Sequence, residues 1–402
     1  MPMLFEITFI AAILLIGYAY IGYPLVVWLL SRLIPRPVIK ADIEPKISLI
    51  IAAYNEEISI ARKLSNSLAQ DYPQEKLEVI VASDCSTDRT DEVVSGYANK
   101  RVVLHRQAVR LGKTAAQNNA VRQSSGEILV FSDATTMYET NALRRIVRSF
   151  ADPEVGCVAG QLLYATDVNS ATRSGCRSYW SYEKMLRESE SRLGTLIGVS
   201  GCFYAVRRSS YVRMAGDMSS DFCIASEIRL QGLRTVYDPE AISIETANKD
   251  GRDEFKMRVR IIEQTLSAMH VYRRLLNPSH HGLFAFQLIS HKALRYAVPL
   301  FLLVAFLANG LLATESQVYR VLFTAQTGFY SLAVAGWIWD RAGVRCGLAG
   351  LPYYFALANT ACVVAFSKFM QGEAHIVWEP ARDNGSPNES SGSKIKAEGL
   401  AR

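Results

Sequence analysis

The chain has 402 residues, 50% of them hydrophobic and only 20% charged, with a formal net charge of +6. That is apolar for a soluble protein but not apolar enough for one embedded throughout in a bilayer, so the apolar residues must be segregated. Basic residues beside membrane spans account for a charge of this size without nucleic acid. The seven cysteines are scattered and odd in number, with no Cys-x-x-Cys pair, which argues against a disulfide framework or a zinc site.

The first predicted element is a run without charge at residues 7–30, near the roughly 20 residues that cross a hydrocarbon core. No Lys or Arg precedes it, and it ends in Ser31-Arg32-Leu33-Ile34-Pro35-Arg36 rather than a small-residue cleavage site, so a retained helix is expected, not a signal peptide. Residues 1–40 thus form a helix and a basic linker, and residues 41–275 an α/β domain. Residues 276–370 form an interfacial segment and about three spans, at 296–314, 321–339 and 346–367. Residues 371–402 form a tail, rich in Ser, Gly, Asn and charge from Asp383 on and expected to be disordered. Arg32, Arg36 and Lys40 follow the first span, and Arg273, Arg274, Lys292 and Arg295 precede the second. The positive-inside rule then puts the α/β domain on the cytosolic side of the cell (inner or plasma) membrane, with Arg341 and Arg345 on that side too. A re-entrant segment near 282–290 would reverse the side of the tail. The spans contain no ionisable residue of the kind that marks a substrate path, which disfavours a transporter or receptor.

Within the domain, Ile47–Ala53 reads as a strand buried on both faces. Residues 56–70 follow as an amphipathic helix with Ile58, Ala61, Leu64 and Leu68 on one side. Strands at 77–82, 101–105 and 127–132 alternate with helices from Thr87, capped by Ser86 or Thr87, and at 112–123. This β-α-β-α-β-α-β order implies a mainly parallel, Rossmann-like sheet, whose ligands bind at the carboxyl ends of the strands. The polar clusters lie at those ends. After the first strand come Tyr54, whose ring can stack on a base, and Glu56, which can accept from ribose hydroxyls; a plain helix start, with Asn55 as cap, is the competing reading. After the second comes Asp84, placed to accept from a pyrimidine N–H, with Asp88 supporting the turn or the next helix. Gly112-Lys113-Thr114 imitates a P-loop, but Gln107 stands where its first glycine should be, so no ATPase is predicted. Lys113 can still meet a diphosphate as a point charge. After the fourth strand comes Asp133, which needs a partner on leaving a buried strand; Mg²⁺ or Mn²⁺ on a diphosphate would supply one. His270, His280, His281 and His291 show no metal-ligand spacing and read as interfacial polar residues.

The order Pro45-Lys46 through Tyr54-Asn55-Glu56, then Ser83-Asp84-Cys85-Ser86-Thr87-Asp88, Gly112-Lys113 and Ser132-Asp133-Ala134-Thr135 resembles glycosyltransferase family 2 over residues 45–265. That family has the GT-A fold and includes the membrane synthases of cellulose and hyaluronan. The resemblance implies a metal-dependent inverting hexosyltransferase in which Tyr54, Glu56 and Asp84 hold the nucleoside, usually uridine. Lys113 would touch base or phosphates, and Asp133 would open the Asp-x-Asp metal motif. Thr135 replaces the second Asp of that motif. Residues 198–208 resemble the acceptor-side segment, with Ser200 and Gly201 close to the sugar. Asp221 matches the family's general base, Ser220 replaces the acid before it, and Asp217 is the fallback. Arg260 matches the Arg of the Gln-x-x-Arg-Trp element of processive members, where Met257 and Ile261 replace Gln and Trp; Arg258 and Arg260 would neutralise the leaving diphosphate. Trp378-Glu379-Pro380-Ala381-Arg382 resembles a short element that follows the last span in some membrane members.

The expected donor is a nucleotide sugar, first of all a UDP-sugar, and the acceptor a glycan or polyprenyl-linked sugar in exopolysaccharide or glycan synthesis. Membrane lipid is the expected surroundings. Three C-terminal spans make a thin channel at best, which leaves an export partner or a homo-oligomer open. The alternatives are a non-processive transferase extending a lipid-linked oligosaccharide and a nucleotide-binding, non-catalytic pseudoenzyme.

Overall fold

The computed structural model describes residues 2–98, 101–165, 171–216, 218–246, 251–344 and 346–372. Asp217, Arg345, the 378–382 element and the tail from 373 lie outside the described residues. The chain enters through α1 (Pro2–Gly17) and α2 (Tyr23–Leu33), which a π-helical turn at Tyr18–Gly22 joins into one helix.

Ile47–Ala53 forms β1 and all seven residues are buried, as a strand covered on both faces requires. It is followed by β2 (Leu77–Ser83), β3 (Val102–Arg106) and β4 (Ile128–Asp133). Then come β5 (Met137–Tyr138), β6 (Val155–Ala165), β7 (Phe203–Arg207) and β8 (Arg234–Thr246). They form one sheet in the order β3-β2-β1-β4-β7-β6-β8-β5. β7 is antiparallel to β4 and β6, β5 is antiparallel to β8, and the other pairings are parallel. The register sets Ala53 beside Ser83 and Ala52 beside Asp133. Tyr54, Asp84 and Asp133 therefore leave the sheet at one level.

On one face of β1, Ile47, Leu49 and Ile51 pack with α3 (Ile60–Leu68), α4 (Thr90–Ser95) and the helix after β5. On the other, Ile50 packs with Ala116 and Ala120 of α5 (Lys113–Gln123) and with residues 222–224. The remaining domain helices are α6 (Ala142–Val147), α7 (Ala171–Leu193), α8 (Ser220–Leu230) and α9 (Gly251–Val271).

Two helices start later than their sequence suggests: α3 at Ile60 rather than 56, and α4 at Thr90 rather than Thr87. The polar residues before them bond across the two loops, and Asp88 Oδ1 also accepts from the N–H of Thr90, the first residue of α4, at 3.0 Å. Thr87 N–H donates to Asn55 Oδ1 at 2.8 Å, Arg89 N–H to Glu57 Oε2 at 3.0 Å, and Glu57 N–H to Asp88 Oδ2 at 3.1 Å. The delayed start also turns α3. Ile58, expected on the apolar side, is 84% exposed, and Lys63 is fully buried.

The basic linker is strapped to the domain. Arg36 N–H donates to the Arg192 carbonyl at 2.6 Å, and Arg234 Nη2 to the Arg36 carbonyl at 2.8 Å. Lys40 Nζ and Arg148 Nε each reach Asp238 Oδ2 at 3.0 Å. Asp238 is fully buried. Burial pushes its carboxyl up, but Arg148 and Lys40 outweigh this and hold it below the ordinary value.

The chain then runs through α10 (Pro278–His281), α11 (Leu283–Gln287), a second π-helical turn at Leu288–Ala293 and α12 (Leu294–Leu312) to α13 (Gln317–Arg341) and α14 (Gly350–Met370). Among the described residues, four helices are long and apolar enough to cross a membrane: Met3–Leu33, Leu283–Leu312, Gln317–Arg341 and Gly347–Met370. The second begins at Leu283 and is continuous, which removes the re-entrant segment considered at 282–290 and brings His291 and Arg295 inside a span. His291 is a buried residue, not an interfacial one. Charge is tolerated there because α7 answers it: His291 Nδ1 lies 2.7 Å from Glu190 Oε1, and Arg295 Nη1 lies 2.5 Å from Glu183 Oε1. The Tyr23 hydroxyl donates to the same Glu190 oxygen at 2.5 Å.

Removing Asp238 would take the buried partner from Arg148 and Lys40, of which Arg148 keeps Glu240. Asp238→Ala is expected to cost about 3–5 kcal/mol, read as a lowered thermal midpoint in detergent. The native contribution of Asp238 is complete above its unfolded pKa of about 3.9 and is lost as pH falls toward the lower folded value, so the variant's deficit should shrink on acidification.

Candidate active site

The site forms where β1, β2 and β4 end. Asp84, just past β2, is buried, and its carboxylate is engaged by its own loop. Oδ1 accepts from Gln107 Nε2 at 2.7 Å and from Leu111 N–H at 2.8 Å, and Oδ2 accepts from Gly112 N–H at 2.9 Å. The residue expected to read a base is therefore first the organiser of the 107–112 loop, with one acceptor position left on Oδ2. Gly112 has φ +90° and ψ 165°, a conformation that only glycine takes without strain. That turn starts α5 and aims Lys113 across the site.

Lys113 is ion-paired with Asp133 Oδ1, and its Nζ donates to the Gly201 carbonyl at 3.2 Å. Burial lowers the Lys113 pKa, but Asp133 and Asp221 outweigh it and the net shift is upward, so the ammonium stays charged. Asp221 is in the first turn of α8, with its Oδ1 accepting from Ser219 Oγ and from Phe222 N–H. A β-carbon placed on Gly201 would lie 3.8 Å from Lys113 Nζ and 4.0 Å from Asp221 Oδ2, so Gly201 borders both side chains at contact distance. Ser200 Oγ lies 3.2 Å from Cys202 Sγ. Burial, Glu245 and Asp133 push the Cys202 thiol up to about 12, which excludes it as a nucleophile.

Tyr54 lies under the Arg110 guanidinium, 3.7 Å from its ring centroid, so an aromatic-cation plate flanks the mouth of the site. Glu56 is buried, and its N–H donates to Thr90 Oγ1 at 2.7 Å. The two arginines of α9 part company. Arg260 is half-buried and feels Asp133 and Asp221; burial lowers its pKa and those carboxylates oppose the shift. Arg258, two residues earlier, points elsewhere: its Nε reaches Glu254 Oε1 at 2.8 Å, and its guanidinium lies 4.9 Å from the Tyr354 ring of α14. Arg258 is thus a tie to the last span rather than a neighbour of the carboxylates.

Two charged residues join the site that the sequence did not mark. Lys63 Nζ donates to the Thr136 carbonyl at 2.6 Å and sits 3.5 Å over the Tyr138 ring. Burial lowers its pKa to about 7 against the pull of Asp133, Cys202 and Glu245. Glu245, near the end of β8, accepts from Thr135 Oγ1 at 3.2 Å. Burial and then Asp133 raise its carboxyl to about 7. A carboxylate at a strand end was the available signal for Glu245; a lysine on a helix gave none.

The donor set fits a divalent cation of limited protein ligation. The Lys113 ammonium already seats positive charge on Asp133, and carboxylate oxygen is the hard donor that Mg²⁺ and Mn²⁺ prefer. Among the described residues no group of three or more His, Cys, Asp or Glu could hold a metal ion, so one or two carboxylates completed by phosphate and water are what the site can offer.

The sheet order defines a GT-A-type fold. Over 91% of this chain and 99% of the other, it superposes with a TM-score of 0.69, at 23% identity, on a mannosyltransferase from Pyrobaculum calidifontis solved with GDP-Man and Mn²⁺. Residues 48–214 match the model of Glycosyl transferase family 2. The chain is 28% identical over 214 residues to a poly-beta-1,6-N-acetyl-D-glucosamine synthase of Staphylococcus aureus (52% of this chain, 51% of that protein). It is also 28% identical over 222 residues to an N-acetylglucosaminyltransferase of Rhizobium sp. (51% of this chain, 49% of that protein). The chain thus spans about half the length of the curated relatives it matches.

Asp84→Asn replaces one acceptor oxygen with a donor facing backbone N–H groups. It should destabilise the protein by about 1–3 kcal/mol. Nucleotide affinity, measured by calorimetry, should fall more than the loss of one ligand contact explains, because Lys113 loses its aim.

Proposed function

We propose that this protein is an inverting glycosyltransferase that moves a sugar from a nucleotide-sugar donor, first of all a UDP-sugar, to a membrane-associated glycan or lipid-linked acceptor in exopolysaccharide synthesis. The domain would lie on the cytosolic face of the cell membrane, the side on which such donors are made. The observation that carries this reading is the convergence of Asp133, Lys113, Gly201 and Asp221 at the strand ends. The family match of residues 48–214 and the transferase names of its relatives support it.

In this mechanism Tyr54 and Arg110 hold the base, and the remaining acceptor position of Asp84 takes an imide N–H. Ser200 and Gly201 border the acceptor sugar. Asp221 removes the proton of the acceptor hydroxyl as that oxygen attacks the anomeric carbon. The bond to the nucleoside diphosphate breaks on the opposite side, its electron pair leaves with the phosphate oxygen, and the configuration inverts. Lys113 and Arg260 stabilise the charge that collects on the leaving group. A divalent ion held by Asp133, when bound, supplies further neutralisation of the diphosphate.

A non-processive transfer to a lipid-linked oligosaccharide is the second reading, favoured by Met257 and Ile261 where processive members carry Gln and Trp. Product length from purified protein separates the two.

The decisive measurement is nucleoside diphosphate release by the full-length protein across a panel of nucleotide sugars with Mg²⁺ or Mn²⁺. Release from one donor is expected, abolished by Asp133→Asn and by Asp221→Asn. Arg260→Ala should lower kcat by about 10²–10³, while Arg258→Ala should leave kcat within about threefold and lower thermal stability. Absence of release from every donor, with membrane lipid supplied as acceptor, overturns the proposal.

A further inference from the structure

The Asp-x-Asp motif is broken in this chain by Thr135, yet the fold brings a second carboxylate to the same turn. Four observations fix it there. Thr136 N–H donates to the Asp133 carbonyl at 3.3 Å, which closes residues 133–136 into a tight turn. β5 then pairs with β8 antiparallel, Met137 opposite Ile244 and Tyr138 opposite Ser243, so the next step of the same register sets Thr136 opposite Glu245. Glu245 Oε1 accepts from Thr135 Oγ1 at 3.2 Å and from Thr136 Oγ1 at 3.4 Å. Finally, Lys63 Nζ reaches the turn from within the core, 2.6 Å from the Thr136 carbonyl, behind the two acids.

We propose that Glu245 is the second protein ligand of the divalent cation, reaching from β8 into the position that the missing Asp of the motif would fill, with Thr135 orienting it. This rests on the transferase reading above. A threonine hydroxyl in place of a carboxylate cannot neutralise a dication, but it can hold a longer carboxylate arriving from a neighbouring strand. Ion binding would then join β4, which carries Asp133, to β8, which runs directly into the segment before α9 and Arg260. The two protein carboxylates are what a small hard cation takes when donor phosphates complete its shell.

The test is Mn²⁺ binding to the full-length protein, followed by electron paramagnetic resonance with UDP or with GDP present. Glu245→Gln, which keeps size and the threonine hydrogen bonds, should weaken Mn²⁺ binding at least about tenfold, the lower end of what losing even an outer-shell partner costs. Combining it with Thr135→Asp should restore binding, an outcome that a merely structural Glu245 would not give. Unchanged Mn²⁺ affinity in Glu245→Gln overturns the inference, as does failure of the wild-type protein to bind Mn²⁺ with either nucleotide. Donor turnover in the presence of chelator would, in that last case, leave the transferase reading standing while the metal ligand falls.

Discussion

One buried carboxylate governs the geometry of the site. Leu111 and Gly112 carry backbone N–H groups that no strand receives, and Asp84 supplies the acceptor that a sheet would otherwise provide. Its charge makes those bonds stronger than neutral ones. The consequence runs along the chain: the loop is held, Gly112 can take its positive φ, α5 begins at Lys113, and the ammonium lands between Asp133 and the Gly201 carbonyl. If the loop relaxed, Lys113 would be free to turn to water and Asp133 would be left half-buried without its cation. Under the proposed function, a base bound at the last acceptor position of Asp84 would report on the same loop that aims Lys113.

The strands were legible in the sequence and the loops were not, for a physical reason. β1, β2 and β4 are covered on both faces, so their uninterrupted apolar runs fix both their extent and the residues that emerge from them. The starts of α3 and α4 depend on Asn55, Glu57 and Asp88 bonding to the opposite loop, a tertiary event that local capping patterns mimic. The same shift hid Lys63, whose burial is sustained by a carbonyl, an aromatic face and nearby carboxylates rather than by anything adjacent in sequence. Helical geometry alone says that Arg258 and Arg260 point to different sides; only the packing of α14 decides which one meets the carboxylates. Glu245 escaped notice because its meaning lies in a strand pairing made across more than one hundred residues of chain.

Hydropathy failed at one span in an instructive way. A window that forbids charge starts the second membrane helix after Arg295, whereas the helix begins at Leu283. Glu183 and Glu190 lie on α7, far away in sequence, and pair with Arg295 and His291 in place. The two π-helical turns, Tyr18–Gly22 and Leu288–Ala293, occur at this cluster and meet through the Tyr18 and Ser290 hydroxyls at 2.9 Å. Such turns displace side chains from the regular helical spacing, and here they let two spans present polar groups to each other and to α7 while the rest of each helix stays apolar. The ionisable groups are thus a structural seam between spans and domain, not a path through the bilayer.

This seam and α9 make the membrane part a component of the site. Val259 and Ile262 pack on Ala361 and Ala365 of α14, Arg258 is tied to Tyr354, and Arg260 on the same helix feels the charges of Asp133 and Asp221. A helix that is fastened to α14 on one side and carries a guanidinium toward the carboxylate cluster on the other cannot shift one contact without shifting the other. The level of Arg260 above the sheet is then set by where α14 sits, and β8 adds a second constraint, because Glu245 lies only a few residues before α9 begins. A helix packed in this way does more than anchor the chain: it fixes the height at which the Arg260 guanidinium stands over the carboxylates.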